Sequence, residues 1–297
     1  MSSQKRINKA YENARRIPFT DESKFIIFSD CHRGNNSFAD DFANNRNSYY
    51  HAMSHYYRNG FTYCELGDGD ELWENLKFES IFEAHKNVFE LLQLFFEEDR
   101  FYRILGNHDM AFRDKKYVEK HLFSYTDEVN EKEKPLFPGI TFTEAIVLEH
   151  EITKQEIFMI HGHQADWTHY YMWKFNRFMV RVLWRQLQIF GIGDPTSPAR
   201  NNRELNKIER RTKKWIVESN LFTITGHTHR PRFPKPEEIP YFNDGSCVHP
   251  RAITGLEIEN GEISLVKWEI ATTEDGTLKA IRIVLEGPQK LMAYKTK

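Results

Sequence analysis

The chain is poor in cysteine, and its charges nearly cancel. Only three cysteines, Cys31, Cys64 and Cys247, occur among 297 residues. So small and odd a number excludes a disulfide framework and indicates free thiols in a reducing compartment. The formal net charge is −2, which excludes a nucleic-acid-binding surface spread over the whole molecule. Any basic surface therefore has to be local.

Long apolar runs are also missing. No stretch approaches the roughly 20 apolar residues that span a bilayer, and the first residues, MSSQKRINKAYENARRIPF, lack the apolar core of a secretory signal. We therefore expect a cytoplasmic protein without a transmembrane segment, beginning with a polar, basic arm or a short helix. Without internal repeats or low-complexity linkers, residues 1–297 are predicted to form a single domain.

Five apolar runs each end at side chains that can bind a metal. Each run is typical of a buried strand with polar residues only at its carboxyl end, the edge where ligands bind in open α/β sheets. Seven nitrogen and oxygen ligands without a thiolate suit two divalent ions, with Mn, Fe or Zn expected. The candidate ligands are Asp30, His32, Asp68, Asn107, His161, His227 and His229.

The spacing of these residues predicts how they share the metals. Asp30 and His32 are two apart, which in an extended segment places both side chains on one side, where they can hold one ion. His227 and His229 have the same spacing, but their loop could equally direct them to neighbouring ions. Asp68 is the candidate bridge, because a carboxylate has two oxygens. Two such ions would keep residual positive charge that attracts and polarises a phosphate.

These motifs resemble the calcineurin-like metallophosphoesterase superfamily, with its blocks present and in order. The resemblance implies one metal held by Asp30, His32, Asp68 and His229, and another by Asp68, Asn107, His161 and His227. It also implies in-line attack on phosphorus by a hydroxide that bridges the metals. The blocks are Asp30-Cys31-His32, Gly67-Asp68, Gly106-Asn107-His108-Asp109, His161-Gly162-His163 and Gly226-His227-Thr228-His229.

The resemblance further implies catalytic and substrate-binding residues. His108 would stabilise the transition state or protonate the leaving oxygen, oriented by an acidic neighbour. The family's acidic partner usually lies three residues after the bridging Asp, which is Glu71 here, with Asp70 as the alternative. Arg33 and Arg230 flank ligand motifs and are predicted to bind phosphate oxygens, because a guanidinium makes paired, charge-assisted hydrogen bonds to them.

A basic insertion covers about residues 167–219. Its first 50 residues carry eleven Lys or Arg against three Asp or Glu, a net charge of +8. We predict a helical-hairpin lid whose first helix contacts substrate through Arg177 and Arg181; the alternative is a solvated helical pair packed on the domain. The first helix has one basic face, formed by Lys174, Arg177, Arg181 and Arg185.

The insertion resembles that of the UDP-2,3-diacylglucosamine hydrolases of lipid A synthesis, which cleave a pyrophosphate. That branch typically has Arg at the position of His108. The resemblance therefore implies a general phosphoesterase reaction and not this particular substrate. We expect a phosphorylated small-molecule or lipid-linked substrate, with peripheral membrane contact through the lid as a further hypothesis. The alternatives are a metal-dependent nuclease, for which the basic surface is small, and a non-catalytic metal-binding scaffold.

Strand and helix patterns alternate along the chain. Helices are predicted near residues 40–59 and over 78–98, where apolar residues recur with helical spacing. Strand patterns dominate residues 140–161 and 241–284. Together with the resemblance, this order predicts a two-sheet α/β sandwich of metallophosphoesterase type, with helices outside and the helical-hairpin lid inserted.

Overall fold

The computed structural model describes residues 1–127, 130–166, 170–172, 177–180 and 202–294. The helices are α1 Ser3–Glu12, α2 Arg46–Arg58, α3 Phe78–Ala84, α4 Lys86–Glu97, α5 Lys115–Leu122 and α6 Asn202–Ser219. The strands are β1 Arg15–Phe19, β2 Phe25–Phe28, β3 Thr62–Glu65, β4 Phe101–Ile104, β5 Ser124–Asp127, β6 Lys132–Pro135, β7 Phe142–Thr143, β8 Ala145–His150, β9 Glu156–Ile160, β10 Phe222–Thr225, β11 Tyr241–Asn243, β12 Ala252–Glu259, β13 Glu262–Thr272 and β14 Leu278–Lys290.

Two mixed sheets form the centre of the molecule. One has the strand order β1-β8-β9-β10-β11 and the other β14-β13-β12-β2-β3-β4-β7. Strands β2, β3, β4 and β7 run parallel in the larger sheet, and β9, β10 and β11 run parallel in the smaller one. The carboxyl ends of these parallel strands are the ends that bear the candidate ligands.

Three apolar layers explain why the strands are continuously hydrophobic. Alternate residues of β2 enter different layers: Ile27 faces the core between the sheets, and Phe28 faces the helices that cover the larger sheet. A third layer joins α1 and α6 to the outer face of the smaller sheet, where Trp215 packs near Phe158. A strand buried on both faces needs apolar side chains at successive positions. The predicted α/β sandwich with outer helices is confirmed.

The predicted helix over 78–98 consists of two helices, α3 and α4. Between them His85 is fully buried and its Nε2 lies 2.9 Å from Asp40 Oδ2. The backbone leaves the helical region at His85, with φ −127° and ψ 29°, and this places the imidazole against the carboxylate. The spacing of apolar residues cannot reveal such a break, because apolar residues recur with nearly the same period in both helices.

The described part of the insertion is mostly α6. This helix ends at Ser219 and buries Ile208, Trp215 and Ile216 against α1 and the smaller sheet. Helix α6 is therefore part of the outer layer of the sandwich. This position agrees with the alternative prediction, in which the helices of the insertion pack on the domain. Most of the predicted first helix lies outside the described residues, so the lid remains a prediction. No helix in the described segments is long and apolar enough to cross a membrane.

Candidate active site

The first group of candidate ligands consists of Asp30, His32 and His229. Their ligand atoms lie within 4.8 Å of one another. His229 Nε2 is 3.0 Å and His32 Nε2 is 3.7 Å from Asp30 Oδ1. Asp30 and His32 follow β2 and His229 follows β10, so the two sheets each supply part of this group.

The second group consists of Asp68, His161 and His227, whose ligand atoms again lie within 4.8 Å of one another. His161 Nε2 is 3.2 Å from Asp68 Oδ2. The same oxygen is 3.8 Å from His32 Nε2, which belongs to the first group. Asp68 thus lies between the two groups, the position that a carboxylate bridging two cations would need.

The donor atoms fit divalent cations. His161 Nδ1 lies 2.7 Å from the Leu66 carbonyl, and His32 Nδ1 lies 2.8 Å from Glu71 Oε2. Each Nδ1–H therefore donates outward, which leaves Nε2 for a metal. His32 Nε2 and Asn107 Oδ1 are buried without a hydrogen-bond partner in the described part of the chain. Buried nitrogen and oxygen acceptors of this kind suit a cation better than any protein donor.

The charges of the site are those of a cation-binding centre. Burial would raise the pKa of Asp30, but His229 and His161 hold it well below its usual range. Asp68 is likewise buried, and His161 and His108 keep its pKa well below its usual range. Burial would lower the pKa of His161, yet Asp68 and Asp30 raise it to about 9. Without a metal, the protonated His161 ring therefore balances the negative charge of these carboxylates.

The backbone at the ligands is unusual. Residues with positive φ other than glycine cost on the order of 1 kcal/mol or more and concentrate at functional sites. Sharp turns of this kind let each loop direct its ligand back over the end of its strand. Five of the seven candidate ligands have left-handed backbones: Asp30 (φ 50°), His32 (φ 47°), Asp68 (φ 50°), His227 (φ 65°) and His229 (φ 53°).

Glycine lets the loops approach one another closely. A Cβ on Gly106 would lie 2.0 Å from Asp68 Oδ1, and one on Gly226 would lie 2.2 Å from Ser29 Oγ. Asp68 Oδ1 also accepts a hydrogen bond from the His108 backbone N–H at 2.8 Å. These contacts place Asn107, which lies between Gly106 and His108, beside Asp68.

A second carboxylic acid lies behind Asp30 and was missed by sequence reasoning. Asp30 Oδ2 accepts the His227 backbone N–H at 2.8 Å and also contacts Ser29 Oγ, which lies 2.7 Å from Asp244 Oδ1. Burial, together with the charge of Asp30, raises the pKa of Asp244 well above its ordinary value. Protonated Asp244 can donate to Ser29, which donates to Asp30. The only signal in the sequence is an acidic residue directly after the short strand β11, Tyr241–Asn243.

His108 contacts Glu71, not Asp70. Its Nδ1 lies 2.8 Å from Glu71 Oε1, and the imidazole is 20% exposed. Glu71 is buried, which would raise its pKa, but His108 and His32 lower it to about 2. Asp70 instead accepts from Arg33 and Arg103, each at 2.8 Å. One carboxylate therefore orients both His108 and the candidate ligand His32.

The prediction that Arg33 binds phosphate is wrong. Its side chain has no exposed surface, and its guanidinium donates to Asp70 and to both oxygens of Glu65. It belongs to a buried ion network under the loops, in which Arg103 also pairs with Glu65 and Asp70. Asp109, missed by sequence reasoning, accepts the backbone N–H groups of Gly69 and Gly106 and ties those loops together.

The other predicted substrate contacts have different positions. Arg230 is exposed and directly follows His229. Arg177 is half-buried, and Arg181 lies outside the described residues. Trp73 was not predicted: its indole stacks on the His108 ring with centroids 4.0 Å apart. Nothing distinguished this tryptophan in the sequence from an ordinary core aromatic residue.

Several solved structures have a similar fold. A conserved uncharacterized protein from Streptococcus pneumoniae TIGR4, a predicted phosphoesterase, is 14% identical with a TM-score of 0.35, over 88% of this chain and 97% of that one. Vps29 from Chaetomium thermophilum is 8% identical with a TM-score of 0.40, over 90% and 97%. The 5'-nucleotidase from Candida albicans SC5314 is 12% identical with a TM-score of 0.32, over 82% of this chain and 48% of that one.

This chain thus spans about half of that nucleotidase. No protein-family model and no curated protein matches the chain.

Proposed function

We propose that this protein is a metal-dependent phosphohydrolase that cleaves a phosphoester or pyrophosphate bond with two divalent ions, of Mn, Fe or Zn. The observation that carries the proposal is Asp68 Oδ2, which lies 3.2 Å from His161 Nε2 and 3.8 Å from His32 Nε2, between two ligand groups. The resemblance of the motifs to the calcineurin-like metallophosphoesterases supports the same chemistry. When bound, the cations would neutralise phosphoryl oxygens and lower the pKa of water.

The protein's own residues would position the substrate and move the proton. We assign metal binding to Asp30, His32, Asp68, Asn107, His161, His227 and His229. His108 donates a proton from Nε2 to the leaving oxygen as the P–O bond breaks, while water supplies the oxygen of the new P–O bond and loses a proton to solvent. Glu71 accepts a hydrogen bond from His108 Nδ1–H, so the form of the ring that can donate from Nε2 is the imidazolium. Exposed Arg230 is the candidate contact for phosphate oxygens.

The first test is metal content together with Mn-supplemented turnover of a panel of substrates. The panel holds a chromogenic monoester, a diester, a nucleotide sugar, a lipid-linked pyrophosphate and DNA. We expect about two metals per chain and hydrolysis of at least one phosphorus ester. A metal-loaded sample that hydrolyses nothing would favour the scaffold alternative, and cleavage confined to DNA would favour the nuclease.

Asp68→Asn should lose both metals and all turnover, because the shared oxygen ligand loses its charge. The matched control is Glu257→Gln, another buried carboxylate, whose partner is Arg282 at 2.7 Å. This control should keep its metals. Full metal content in Asp68→Asn would contradict the bridging role.

His108→Ala should retain metal but slow turnover by roughly a hundredfold or more, the scale of general acid–base groups. The control is His121→Ala, which removes another histidine paired through Nδ1 with a glutamate, Glu79, at 2.6 Å. Equal activity of the two variants would refute the role of His108.

Cleavage of a lipid-linked pyrophosphate and membrane contact through the lid depend on insertion residues that are mostly outside the described segments. A cytoplasmic location agrees with three buried, unpaired cysteines and stays part of the proposal.

A further inference from the structure

Trp73 touches both the candidate general acid and a candidate metal ligand. Its indole and the His108 imidazole stack with centroids 4.0 Å apart and planes 18° apart. Its Nε1–H donates to the Asn107 carbonyl at 2.7 Å. The side chain is 3% exposed, so water competes little with either contact. We propose that Trp73 is a positioning residue that orients the His108 ring and fixes Asn107 beside the metals; this inference rests on the proposed phosphohydrolase function.

Glu71 and Trp73 hold His108 in different directions. The Glu71 carboxylate contacts one atom at the ring edge, Nδ1, and a hydrogen bond at the edge does not support the face of the ring. The indole covers the ring face, so rotation out of the stacked plane is blocked. Glu71 Oε1 in turn accepts the Trp73 backbone N–H at 3.1 Å. The two positioning residues are thereby fixed relative to each other.

The consequence for catalysis follows from the geometry of proton transfer. With Nδ1 on Glu71, the proton for the leaving oxygen comes from Nε2, on the opposite side of the ring. A tilt of the ring moves Nε2 away from that oxygen while leaving the metals in place. Misplacement by about 1 Å can cost roughly a hundredfold in rate. The loss is greatest when the leaving oxygen is too basic to depart without a proton.

Two variants separate the two contacts. Trp73→Phe keeps an aromatic face over His108 but removes the N–H donor to Asn107. Trp73→Leu removes both while retaining an apolar side chain. The matched control is Trp268→Phe, since Trp268 is also 3% exposed and donates its Nε1–H, at 2.8 Å, to Tyr56 Oη on the helix-covered face of the larger sheet.

The kinetic test compares a simple alkyl phosphoester with a 4-nitrophenyl phosphoester, whose leaving group departs without protonation. At saturating Mn, Trp73→Leu should lower kcat for the alkyl ester by about tenfold to a hundredfold and for the nitrophenyl ester by less than about threefold, with KM little changed. Trp73→Phe should keep the wild-type ratio of the two rates but bind Mn several-fold more weakly. Trp268→Phe should match the wild type in kcat for both esters and in Mn binding.

A second measurement needs neither metal nor turnover. In metal-free protein the indole should shift the ring protons of His108 upfield in the NMR spectrum. This shift should persist in Trp73→Phe and Trp268→Phe and disappear in Trp73→Leu.

An unchanged His108 spectrum in Trp73→Leu, or an equal loss of rate on both esters, would overturn the positioning role. If the wild type hydrolyses neither ester, the proposed function fails on these substrates and the catalytic part of this inference fails with it. The NMR comparison then still decides whether Trp73 orients His108.

Discussion

Replacing Glu71 by glutamine should weaken both the fold and the site, because Glu71 is shared by two histidines. The pKa of Glu71 is about 2, against an ordinary 4.5; a difference of that size corresponds to about 3 kcal/mol in favour of the charged folded form. The charge therefore stabilises the folded state fully above pH 4.5, and the contribution is lost as the pH falls towards 2. Glutamine has no charge to lose.

The assay is denaturant unfolding of metal-free wild type and Glu71→Gln between pH 7 and pH 3. We expect about 3 kcal/mol lower stability for the variant at pH 7 and a shrinking difference below pH 4.5. The control, Glu79→Gln, breaks an exposed pair with His121 and should change stability by less than about 1 kcal/mol. Metal affinity or turnover of Glu71→Gln should fall by roughly tenfold to a hundredfold. Equal unfolding free energies of wild type and variant at pH 7 would refute the shared-carboxylate reasoning.

Three further predictions test other parts of the site and core. Gly106→Ala should lose metal, because its Cβ would lie 2.0 Å from Asp68 Oδ1. The control Gly139→Ala has nothing within 4 Å of its Cβ, so it carries only the strain of its positive φ of 82° and should keep metal. Equal metal content of the two variants would contradict the close packing at Gly106. Burial raises the pKa of Cys64 to about 12, so this thiol should resist a thiol reagent at pH 8 until the chain unfolds, as mass spectrometry would show. Asp68 and Asp30 raise the pKa of His161 to about 9 in the absence of metal, so a bound metal should displace a proton from this ring. The affinity for metal should therefore rise from pH 7 to pH 9. Calorimetry in two buffers measures the proton release, and finding none would contradict this prediction.

The candidate ligands could be predicted because each lies at the end of an apolar run. A residue such as Asp68 is a polar residue at the end of an apolar run, and that contrast in polarity is visible in the order of residues. Arg33 shows where the same reasoning fails. It is next to a ligand motif in sequence, but positive φ values at Asp30 and His32 turn the chain sharply, and the Arg33 side chain is buried beside Glu65 and Asp70. Adjacency along the chain does not reveal which side of a turn a side chain occupies.

Strand periodicity, helix periodicity and the polar ends of buried strands depend on short stretches of chain. The amino-acid order was therefore sufficient for the fold class and for selecting the candidate ligands. The pairings that orient the candidate ligands and His108 join distant parts of the chain. His108 meets Glu71 across 37 positions, and Ser29 meets Asp244 across 215. The stacking of Trp73 on His108 likewise exists only once the loops after β3 and β4 lie side by side. Such contacts follow from how the strands pair, and no local pattern encodes them.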